Sequence, residues 1–472
     1  MEAPPKPIDP VQEEAQQLPA VPSPYEGIKL TAGHHFKISA YWFATNFIWG
    51  ALLVIMLPKE VRALFPEYRV PAIGYLLGIG ALVALFIPLI VGALSDRCAS
   101  KLGRRRPYMI VGVAMNVIGL ILMWAAVTVM PAVHGHKEDS SGTIASTLFT
   151  SPTFIALLVA FLVAQFGNNI ASAAYSGVIP DLVPEDQRGT ASGWMALMTQ
   201  CGTLLGAVGC GLLLGGFPEA VKYTLLIVVL VGVASITITG IQETPLPDRP
   251  PKLAWGPYVK SLWISPKRYP DFAWVWITRA FVMLGFYAVL PFINYYLIDV
   301  IRVAEKSVDK TASMLIGVIL ITSSLSGMYG GSLSDRIGRK KVVYIANVMM
   351  AVMTVVFIFC STIPQVLAVG VLFGLGFGAY TSVDWALGTD VLPSKKDAAK
   401  EMGVWHIAMT LPQAIAAPLA GLIIAKFGMT VIPGAEENSI HYTTTGYAVT
   451  FAACAVLFAL GAFFLRNVRG VK

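Results

Sequence analysis

Side chains that can bind a polar solute are scarce in this chain, and several of them recur at helical spacing inside apolar stretches. One set falls at positions i, i+3, i+4 and i+7 of a single stretch and so forms one face of a helix: Gln165, Asn168, Asn169 and Ser172. A second set, at i, i+4 and i+7, consists of Trp42, Asn46 and Trp49. Amides donate and accept hydrogen bonds, and aromatic rings stack on the apolar faces of sugars. We therefore predict that both sets line a pathway for a neutral polyol, with hydrogen bonding between helices as the alternative.

Two opposite charges, Arg279 and Asp384, lie inside apolar stretches of the second half of the chain. A lone charge in a membrane-spanning helix costs about 2.5–3.5 kcal/mol on insertion scales, and pairing offsets much of that cost. We therefore predict an Arg279–Asp384 ion pair with Asp384 as a candidate proton acceptor; a static structural pair is the alternative. His406 is a further coupling candidate because imidazole titrates near neutral pH. We assign Tyr287 and Asn294, which share a face with Arg279, to the solute pathway.

The stretches that carry these residues are long enough to cross a bilayer. The 472-residue chain is 56% hydrophobic and 13% charged, whereas soluble proteins carry about 25% charged residues. A membrane-spanning helix needs about 20 mainly apolar residues, and twelve stretches meet this requirement: 36–57, 70–94, 108–130, 153–180, 190–216, 222–241, 272–298, 312–333, 342–361, 365–391, 402–426 and 445–465. We therefore predict an all-α membrane protein with twelve transmembrane helices in the lipid bilayer.

The basic residues are concentrated in alternate loops, and this bias predicts the orientation of the chain. Both termini are expected to be cytoplasmic, in a multi-pass protein of a plasma membrane or a bacterial inner membrane. The formal charge of +7 follows from these basic loops and requires no nucleic acid partner. The 5 cysteines are odd in number, which favours free thiols over disulfides.

One loop signature occurs twice, about half the chain length apart. The first copy reads Gly92-Ala-Leu-Ser-Asp96-Arg97 and continues at Gly103-Arg104-Arg105-Arg106-Pro107; the second reads Gly331-Ser-Leu-Ser-Asp335-Arg336-Ile-Gly338-Arg339-Lys340-Lys341. A second repeat places Asp181 after the fourth stretch and Asp390 after the tenth, each with a proline three residues later. Two matches in the same register indicate a duplicated bundle.

The repeats divide the chain into two pseudo-symmetric six-helix bundles, residues 34–241 and 271–467. A proline-rich cytoplasmic linker, 242–270, is expected to connect them as an extended spacer. Residues 1–33 are rich in Pro, Glu and Gln and are predicted to be a disordered cytoplasmic tail. A short cytoplasmic tail, 468–472, follows the second bundle.

The loop signature has a physical interpretation. A carboxylate at the membrane boundary can pair with a basic residue, and such a pair can latch one conformation and break as the two halves rock. Gly92 and Gly331 permit close packing of their helices. The alternative is that the basic residues only determine topology. The residues that we assign to gating loops are Asp96, Arg97, Gly103, Arg104, Asp181, Arg188, Asp335, Arg336, Gly338, Arg339 and Asp390.

This signature resembles that of the major facilitator superfamily. The string Ser95-Asp96-Arg97-Cys98 followed by Gly103-Arg104-Arg105-Arg106-Pro107 resembles the plant sucrose/proton symporter branch, as do the pairs Asn168-Asn169 and Asp384-Trp385. The resemblance implies the twelve-helix facilitator fold and uptake of a sugar or glycoside with a proton. That branch usually carries Asp where this chain has Gln165, and Arg where it has Ser176. Because of this departure, we do not assign to Gln165 the role of proton carrier that the branch implies at this position.

These observations favour a secondary active transporter that works by alternating access between the two halves. The chain contains no nucleotide-binding loop, so an ion gradient, with the proton as the candidate ion, is the expected source of energy. We expect a monomer with a small-molecule solute, no cofactor, no metal and no enzymatic activity. An exporter of small organic compounds and a non-transporting membrane sensor remain alternatives. An amide-rich central site favours a sugar, whereas an aromatic and aliphatic one favours the exporter.

Overall fold

The computed structural model describes residues 23–134, 141–246, 253–392, 398–431 and 440–469. Within these residues, 12 helices are long and apolar enough to cross a membrane, which confirms the predicted all-α class. They are α1 (Ala32–Leu64), α2 (Arg69–Asp96), α3 (Arg106–Val129), α4 (Pro152–Leu182), α5 (Glu185–Leu212), α6 (Glu219–Gly240), α7 (Pro270–Asp299), α8 (Glu305–Gly331), α9 (Arg339–Ile358), α10 (Ile363–Asp390), α11 (Gly403–Gly428) and α12 (Thr444–Asn467). Helix α8 continues to Ile337, and α11 begins at Ala398.

Two short helices and a two-stranded sheet lie between the spanning helices and were not predicted from the sequence. A helix of residues Ser141–Thr150 precedes α4, and a helix of residues Trp255–Ser261 lies between α6 and α7. Two antiparallel strands, Met429–Val431 and Ile440–Tyr442, connect α11 to α12, with Thr430 opposite His441. The expectation of a wholly extended linker is therefore wrong for its described part, and residues 247–252 of it lie outside the described residues.

Small residues let the helices within each half approach closely. A Cβ atom at Gly119 of α3 would lie only 2.3 Å from the backbone nitrogen of Ala164 in α4. In the second half, a Cβ at Gly378 of α10 would lie 2.0 Å from the carbonyl oxygen of Ser323 in α8. Backbones packed this closely replace the hydrophobic driving force that a lipid environment cannot supply.

Helices α1 and α7, which are equivalent under the duplication, are both irregular in their second halves. Helix α1 contains a π-helical turn at Leu52–Met56, and α7 contains a 3-10 turn at Leu290–Phe292. Pro58 has no N–H, so it cannot donate to the carbonyl of Val54 four residues earlier. The Nδ2 of Asn294 donates to that carbonyl at 2.6 Å instead, which links the two halves.

The halves contact each other at one end of the bundle. We call the end that carries residues 23–31 and 253–269 the linker end, and the opposite end the far end. In the half of the bundle nearer the far end, a Cβ at Gly74 of α2 would lie 2.9 Å from the carbonyl oxygen of Ala417 in α11, and Gly211 of α5 packs against Ser313 of α8. Towards the linker end, Gly92, Gly193 and Gly403 have no such neighbour within 4 Å among the described residues. The close packing expected at Gly92 is therefore absent, because the halves separate there.

The segment before α1 packs against the first half. Ser23 Oγ donates to the carbonyl of Leu182 at 2.6 Å, and the backbone N–H of Leu30 donates to Gln187 Oε1 at 2.8 Å. Tyr25 and Leu30 are buried. The predicted disorder is therefore wrong for residues 23–33, while residues 1–22 of that tail, and residues 470–472 at the other end, lie outside the described residues.

Candidate functional site

A cavity of about 330 Å³ lies between the two halves. Its first-half wall includes Asn46, Trp49 and Thr203, and its second-half wall includes Tyr287 and Gln413. The remaining lining residues are mainly aromatic and aliphatic: Gly50, Leu53, Val54, Phe286, Val289, Leu290, Ile293, Tyr296, Leu315, Ile316, Ile319, Leu320, Thr354, Phe357, Phe373, Phe377 and Phe451. Few polar groups thus project from a largely apolar wall, as in many small-molecule sites.

The set at Trp42, Asn46 and Trp49 is divided by the structure. Asn46 and Trp49 line the cavity, and Asn46 Oδ1 accepts a hydrogen bond from Thr203 Oγ1 at 3.5 Å. The indole N–H of Trp49 is buried and has no hydrogen-bond partner among the described residues. Trp42 lies outside the cavity lining and packs edge-on against the ring of Tyr175 at 5.5 Å.

The polar face of α4 is directed towards α1 rather than into this cavity. Thr45 Oγ1 donates to Asn168 Oδ1 at 2.5 Å, and the hydroxyls of Tyr41 and Ser172 lie 3.4 Å apart. Asn169 Nδ2 donates to the carbonyl of Gln165 and to its Oε1, at 2.8 and 3.2 Å. The four residues share one face as predicted. Their hydrogen bonds, however, are made to α1 and within α4, as the alternative of hydrogen bonding between helices would require. Their assignment to the solute pathway stays a prediction.

The predicted ion pair between Arg279 and Asp384 is present. Asp384 Oδ2 accepts from Arg279 Nη1, and Asp384 Oδ1 accepts from the hydroxyl of Tyr380 at 3.0 Å. The guanidinium of Arg279 lies 4.9 Å from the ring centroid of the fully buried Trp405, a cation–π arrangement. The pair is only 6% and 2% exposed, and it joins α7, α10 and α11 inside the second half, away from the cavity lining.

Sequence reasoning missed the two aromatic partners of this ion pair. Tyr380 lies four residues before Asp384 and therefore shares its helix face, a signal that the spacing carried. Trp405 stands out in the sequence only as a tryptophan near the start of α11. Nothing in the spacing indicates that its ring covers Arg279.

The remaining predicted residues of the second half occupy different places. Tyr287 lines the cavity. His406 is exposed on α11, and it shares a helical face with Gln413, which does line the cavity. Asn294 does not line the cavity; its side chain bonds to Val54 at the contact between the halves. Asn294 therefore contributes to the contact that joins the two halves towards the far end.

The far end contains an ion pair between the halves that the sequence analysis missed. Arg69 Nη2 of α2 lies 2.7 Å from Asp299 Oδ1 of α7. The hydroxyl of Tyr447 donates to Asp299 Oδ2 at 2.6 Å, and the Arg69 guanidinium lies 5.0 Å from the ring centroid of Tyr442. Both charges are largely buried, with side-chain exposures of 11% and 6%. This pair therefore exists only while the far ends of the halves meet.

At the linker end of the first half, the central residue is Arg105 rather than the predicted Arg104. Its guanidinium lies 2.5 Å from Asp96 Oδ1 and 2.8 Å from Asp181 Oδ2, and Arg104 reaches the same Asp181 oxygen at 3.0 Å. Glu243 accepts from the backbone N–H of Arg105 at 2.8 Å. Burial raises the pKa of the Glu243 carboxyl, and hydrogen bonds from the backbone of this loop oppose that rise. Three carboxylates thus surround one arginine.

The second half repeats part of this arrangement. Gly103 and Gly338 have φ angles of +99° and +98°, a region that favours glycine. Arg339 pairs with Asp390 and donates to the carbonyl of Ala386 at 2.8 Å, as Arg104 pairs with Asp181. The two loops therefore share backbone geometry and an arginine–aspartate pair, in agreement with the predicted duplication.

Within the described part of the chain, the other predicted gating residues form local hydrogen bonds and ion pairs or none. Arg188 donates to the carbonyls of Val183 and Pro180 and lies 3.5 Å from Glu185. Asp335 and Arg336 are exposed, and Arg97 is half-buried. Among the described residues, the ion pairs of the linker end stay within one half. A latch between the halves at this end stays a prediction.

Sequence comparison identifies the family. A family model described as "MFS/sugar transport protein" matches residues 68–467, which is most of the chain. The chain belongs to this family.

The individual proteins that this chain resembles are distant from it in sequence. The sucrose transport protein SUC3 of Arabidopsis thaliana is 30% identical over 127 residues, which cover 27% of this chain and 21% of that protein. The aligned part thus spans about a fifth of this relative's length. Among solved structures, the nucleoside transporter NupG superimposes with a TM-score of 0.65 at 13% identity, over 92% of this chain and 98% of NupG. A D-xylose–proton symporter superimposes with a TM-score of 0.63 at 14% identity, over 92% of this chain and 98% of the symporter. These structures show the facilitator fold.

For this transporter-family protein, the network around Arg105 predicts a stability effect. We expect Arg105→Gln to lower the free energy of unfolding by about 2–3 kcal/mol. The substitution leaves Asp96 without its basic partner, and it removes one of the two basic partners of Asp181. The loss is below that of a fully buried pair because the side chains of Asp96 and Asp181 are 39% and 21% exposed. Thermal unfolding of the purified protein in detergent measures it. Arg336→Gln, at an exposed arginine of the matching loop, is the control and should change stability by less than about 0.5 kcal/mol.

Proposed function

We propose that the protein is a secondary active transporter that moves a sugar or glycoside across the membrane by alternating access. The observation that carries this proposal is the cavity between two equivalent six-helix halves, which contact each other at the far end and separate towards the linker end. The family, which is one of sugar transport proteins, supports the solute class. With both termini in the cytoplasm, as the basic loops favour, this conformation opens to the cytoplasm.

The lining of the cavity supports a solute with both polar and apolar faces. Asn46 and Gln413 offer amide donors and acceptors from opposite halves, and Trp49 and Phe286 offer aromatic faces. The volume of about 330 Å³ is at the small end of the usual range for ligand sites, about 300–1,000 Å³. A glycoside combines hydroxyl groups with an apolar ring face or an apolar substituent, and so matches this wall.

We further propose that a proton drives the transport and that Asp384 carries it. Gln165 cannot accept a proton at the position where the plant sucrose symporters usually have an aspartate. Asp384 is buried, bonded to Tyr380 and paired with Arg279, so its protonation would release Arg279 and loosen the contact of α7 with α10. That change is a means of coupling proton binding to helix movement.

The mainly aromatic and aliphatic wall of the cavity favours a second candidate, an exporter of small apolar organic compounds. Both candidates use the same fold, cavity and energy source. They differ in the solute, so a transport measurement with both solute classes separates them.

Uptake into proteoliposomes tests the proposal. We expect a member of a panel of free sugars and glycosides to accumulate when an inward proton gradient is imposed and to equilibrate without it. Asn46→Ala and Gln413→Ala should each raise KM roughly two- to tenfold, the effect of losing one hydrogen bond. Gln242→Ala, which removes an exposed amide in the linker, should leave KM unchanged.

Two results would contradict this proposal. If no sugar or glycoside accumulates under either condition while apolar organic compounds are transported, the exporter is correct. If a sugar binds to the purified protein and is never transported, the protein is a sensor on a carrier fold.

A further inference from the structure

A groove of about 760 Å³ runs along the outer surface of the second half, between α9 and α12, at the linker end. Its walls are apolar and include Tyr344, Ile345 and Val348 of α9 and Ala459 and Phe463 of α12. Tyr344, Ile345 and Phe463 are 52%, 57% and 47% exposed. Because these residues lie on membrane-spanning helices and their side chains are not covered by the protein, the groove faces the acyl chains of the bilayer.

Three basic residues line the same groove at its linker end, namely Lys340, Lys341 and Arg466. Lys340 Nζ donates to the carbonyl of Val468 at 2.5 Å, and the guanidinium of Arg466 lies 3.6 Å from the ring centroid of Phe463. None of the three has an ion-pair partner within the part of the chain that the structure describes. The charges therefore lie at the level of the phospholipid headgroups without a protein counter-ion.

Two acids near this end are engaged elsewhere. Asp390 pairs with Arg339, and Asp271 Oδ1 accepts the backbone N–H of Arg469 at 2.8 Å. The residues that line the groove include no aspartate or glutamate. An anion from outside the protein would thus meet basic side chains alone.

The first half carries a carboxylate at the equivalent place. Arg105 and Arg106 follow Gly103 as Lys340 and Lys341 follow Gly338. In the first half, Glu243, from the segment after α6, accepts the backbone N–H groups of both arginines at 2.8 and 3.0 Å.

In the second half, the equivalent segment at the end of α12 supplies bases instead of an acid. It contacts Lys340 through the carbonyl of Val468, and it carries Arg466 and Arg469. The two halves therefore differ at this place: Glu243 lies beside the arginines of the first half, and the equivalent segment of the second half adds basic residues.

We propose that this groove binds an anionic phospholipid of the surrounding leaflet. The phosphate is held by Lys340, Lys341 and Arg466, and one acyl chain lies along Ile345, Val348 and Ala459. Basic pockets between membrane-spanning helices bind anionic headgroups in this way, and the long lysine and arginine side chains can extend from the apolar wall to the headgroup level. The site is separate from the cavity between the halves, so it does not depend on the identity of the solute.

Native mass spectrometry of the full chain in detergent tests the proposal, with dioleoyl phosphatidylglycerol and dioleoyl phosphatidylcholine as probes. We expect the wild type to bind phosphatidylglycerol more tightly than phosphatidylcholine. The double variant Lys341→Gln/Arg466→Gln should weaken phosphatidylglycerol binding roughly thirtyfold, from about 1 kcal/mol per basic residue at the membrane surface. Ala459→Trp keeps all the charges and fills the groove, and it should weaken binding of the same lipid by displacing its acyl chain.

The control variant Lys260→Gln/Lys267→Gln removes two exposed positive charges from the linker at the same end, and it should bind phosphatidylglycerol as the wild type does. Equal loss in this control would mean diffuse attraction to the whole surface and would overturn the proposal. So would equal affinity of the wild type for the two lipids, or full retention of phosphatidylglycerol by the double variant. If Ala459→Trp binds as tightly as the wild type, the groove holds no acyl chain and the proposed site is wrong.

A second control, Lys341→Arg/Arg466→Lys, keeps both positive charges and should bind phosphatidylglycerol as the wild type does. This variant separates the effect of charge loss from misfolding.

Discussion

We expect Asp384→Asn to abolish proton-driven accumulation of solute in proteoliposomes, while exchange of solute across the membrane without a gradient continues. The reason is that asparagine keeps the shape of the side chain but cannot bind and release a proton. The internal-to-external solute ratio under an imposed proton gradient should fall to about one. The single variant also leaves Arg279 as an unpaired buried charge, with a loss of about 3–5 kcal/mol in the free energy of unfolding. Uptake and thermal unfolding should therefore be measured on the same preparation.

The double variant Arg279→Gln/Asp384→Asn separates coupling from structure. It removes both charges, so we expect it to recover most of the stability that the single variant loses. If Asp384 carries the proton, the double variant is stable and still fails to accumulate solute. If the pair is only structural, stability and accumulation recover together, and the coupling role of Asp384 is lost. Intact accumulation in Asp384→Asn itself would lead to the same conclusion.

We expect Asp299→Asn to open the far end of the protein. The Arg69–Asp299 pair joins the halves while their far ends meet, and its loss leaves Arg69 as an unpaired, largely buried charge in this conformation. A penalty of about 3 kcal/mol on one of two conformations changes their ratio roughly a hundredfold. We therefore expect Ser313→Cys, at a fully buried contact with Ala207 of the other half, to react at least tenfold faster with a membrane-impermeant maleimide when Asp299→Asn is added.

The labelling experiment needs a background without the native thiols and two controls. The cysteines to be replaced are Cys98, Cys201, Cys210, Cys360 and Cys454. Glu305→Gln removes an exposed acid at the same end and should leave the labelling rate of Ser313→Cys unchanged. Thr237→Cys, buried within the first half, should stay slow in the Asp299→Asn background. Faster labelling of both cysteines would indicate unfolding, and an unchanged rate at Ser313→Cys would show that the ion pair does not hold the far end closed.

The Arg279–Asp384 pair could be predicted because lipid makes an unpaired charge so costly that a partner must exist. The same argument fails for Arg69 and Asp299. Both stand at the ends of spanning helices, where water can solvate a charge, so the sequence contains no energetic reason to pair them. Their proximity follows from the contact between the halves.

The helical period predicted which side chains share a face, but not which helix that face meets. Gln165 and Asn168 lie on one face of α4 as predicted, yet the face meets Thr45 of α1, and the cavity lies elsewhere. Likewise, three successive arginines follow Gly103, and spacing alone does not distinguish Arg104 from Arg105. The direction of each arginine side chain depends on the turn at Gly103 and on Glu243 beyond α6. Tertiary structure therefore determines which arginine reaches Asp96 and Asp181.

Pro58 has a consequence for the energetics of the whole transport cycle. It deprives helix α1 of one internal bond, and Asn294 of the other half supplies the replacement at the carbonyl of Val54. A hydrogen bond that most helices make internally therefore depends here on the contact between the halves. We therefore expect Pro58, which does not line the cavity, to favour the conformation in which the far ends meet, because Asn294 satisfies the carbonyl of Val54 there.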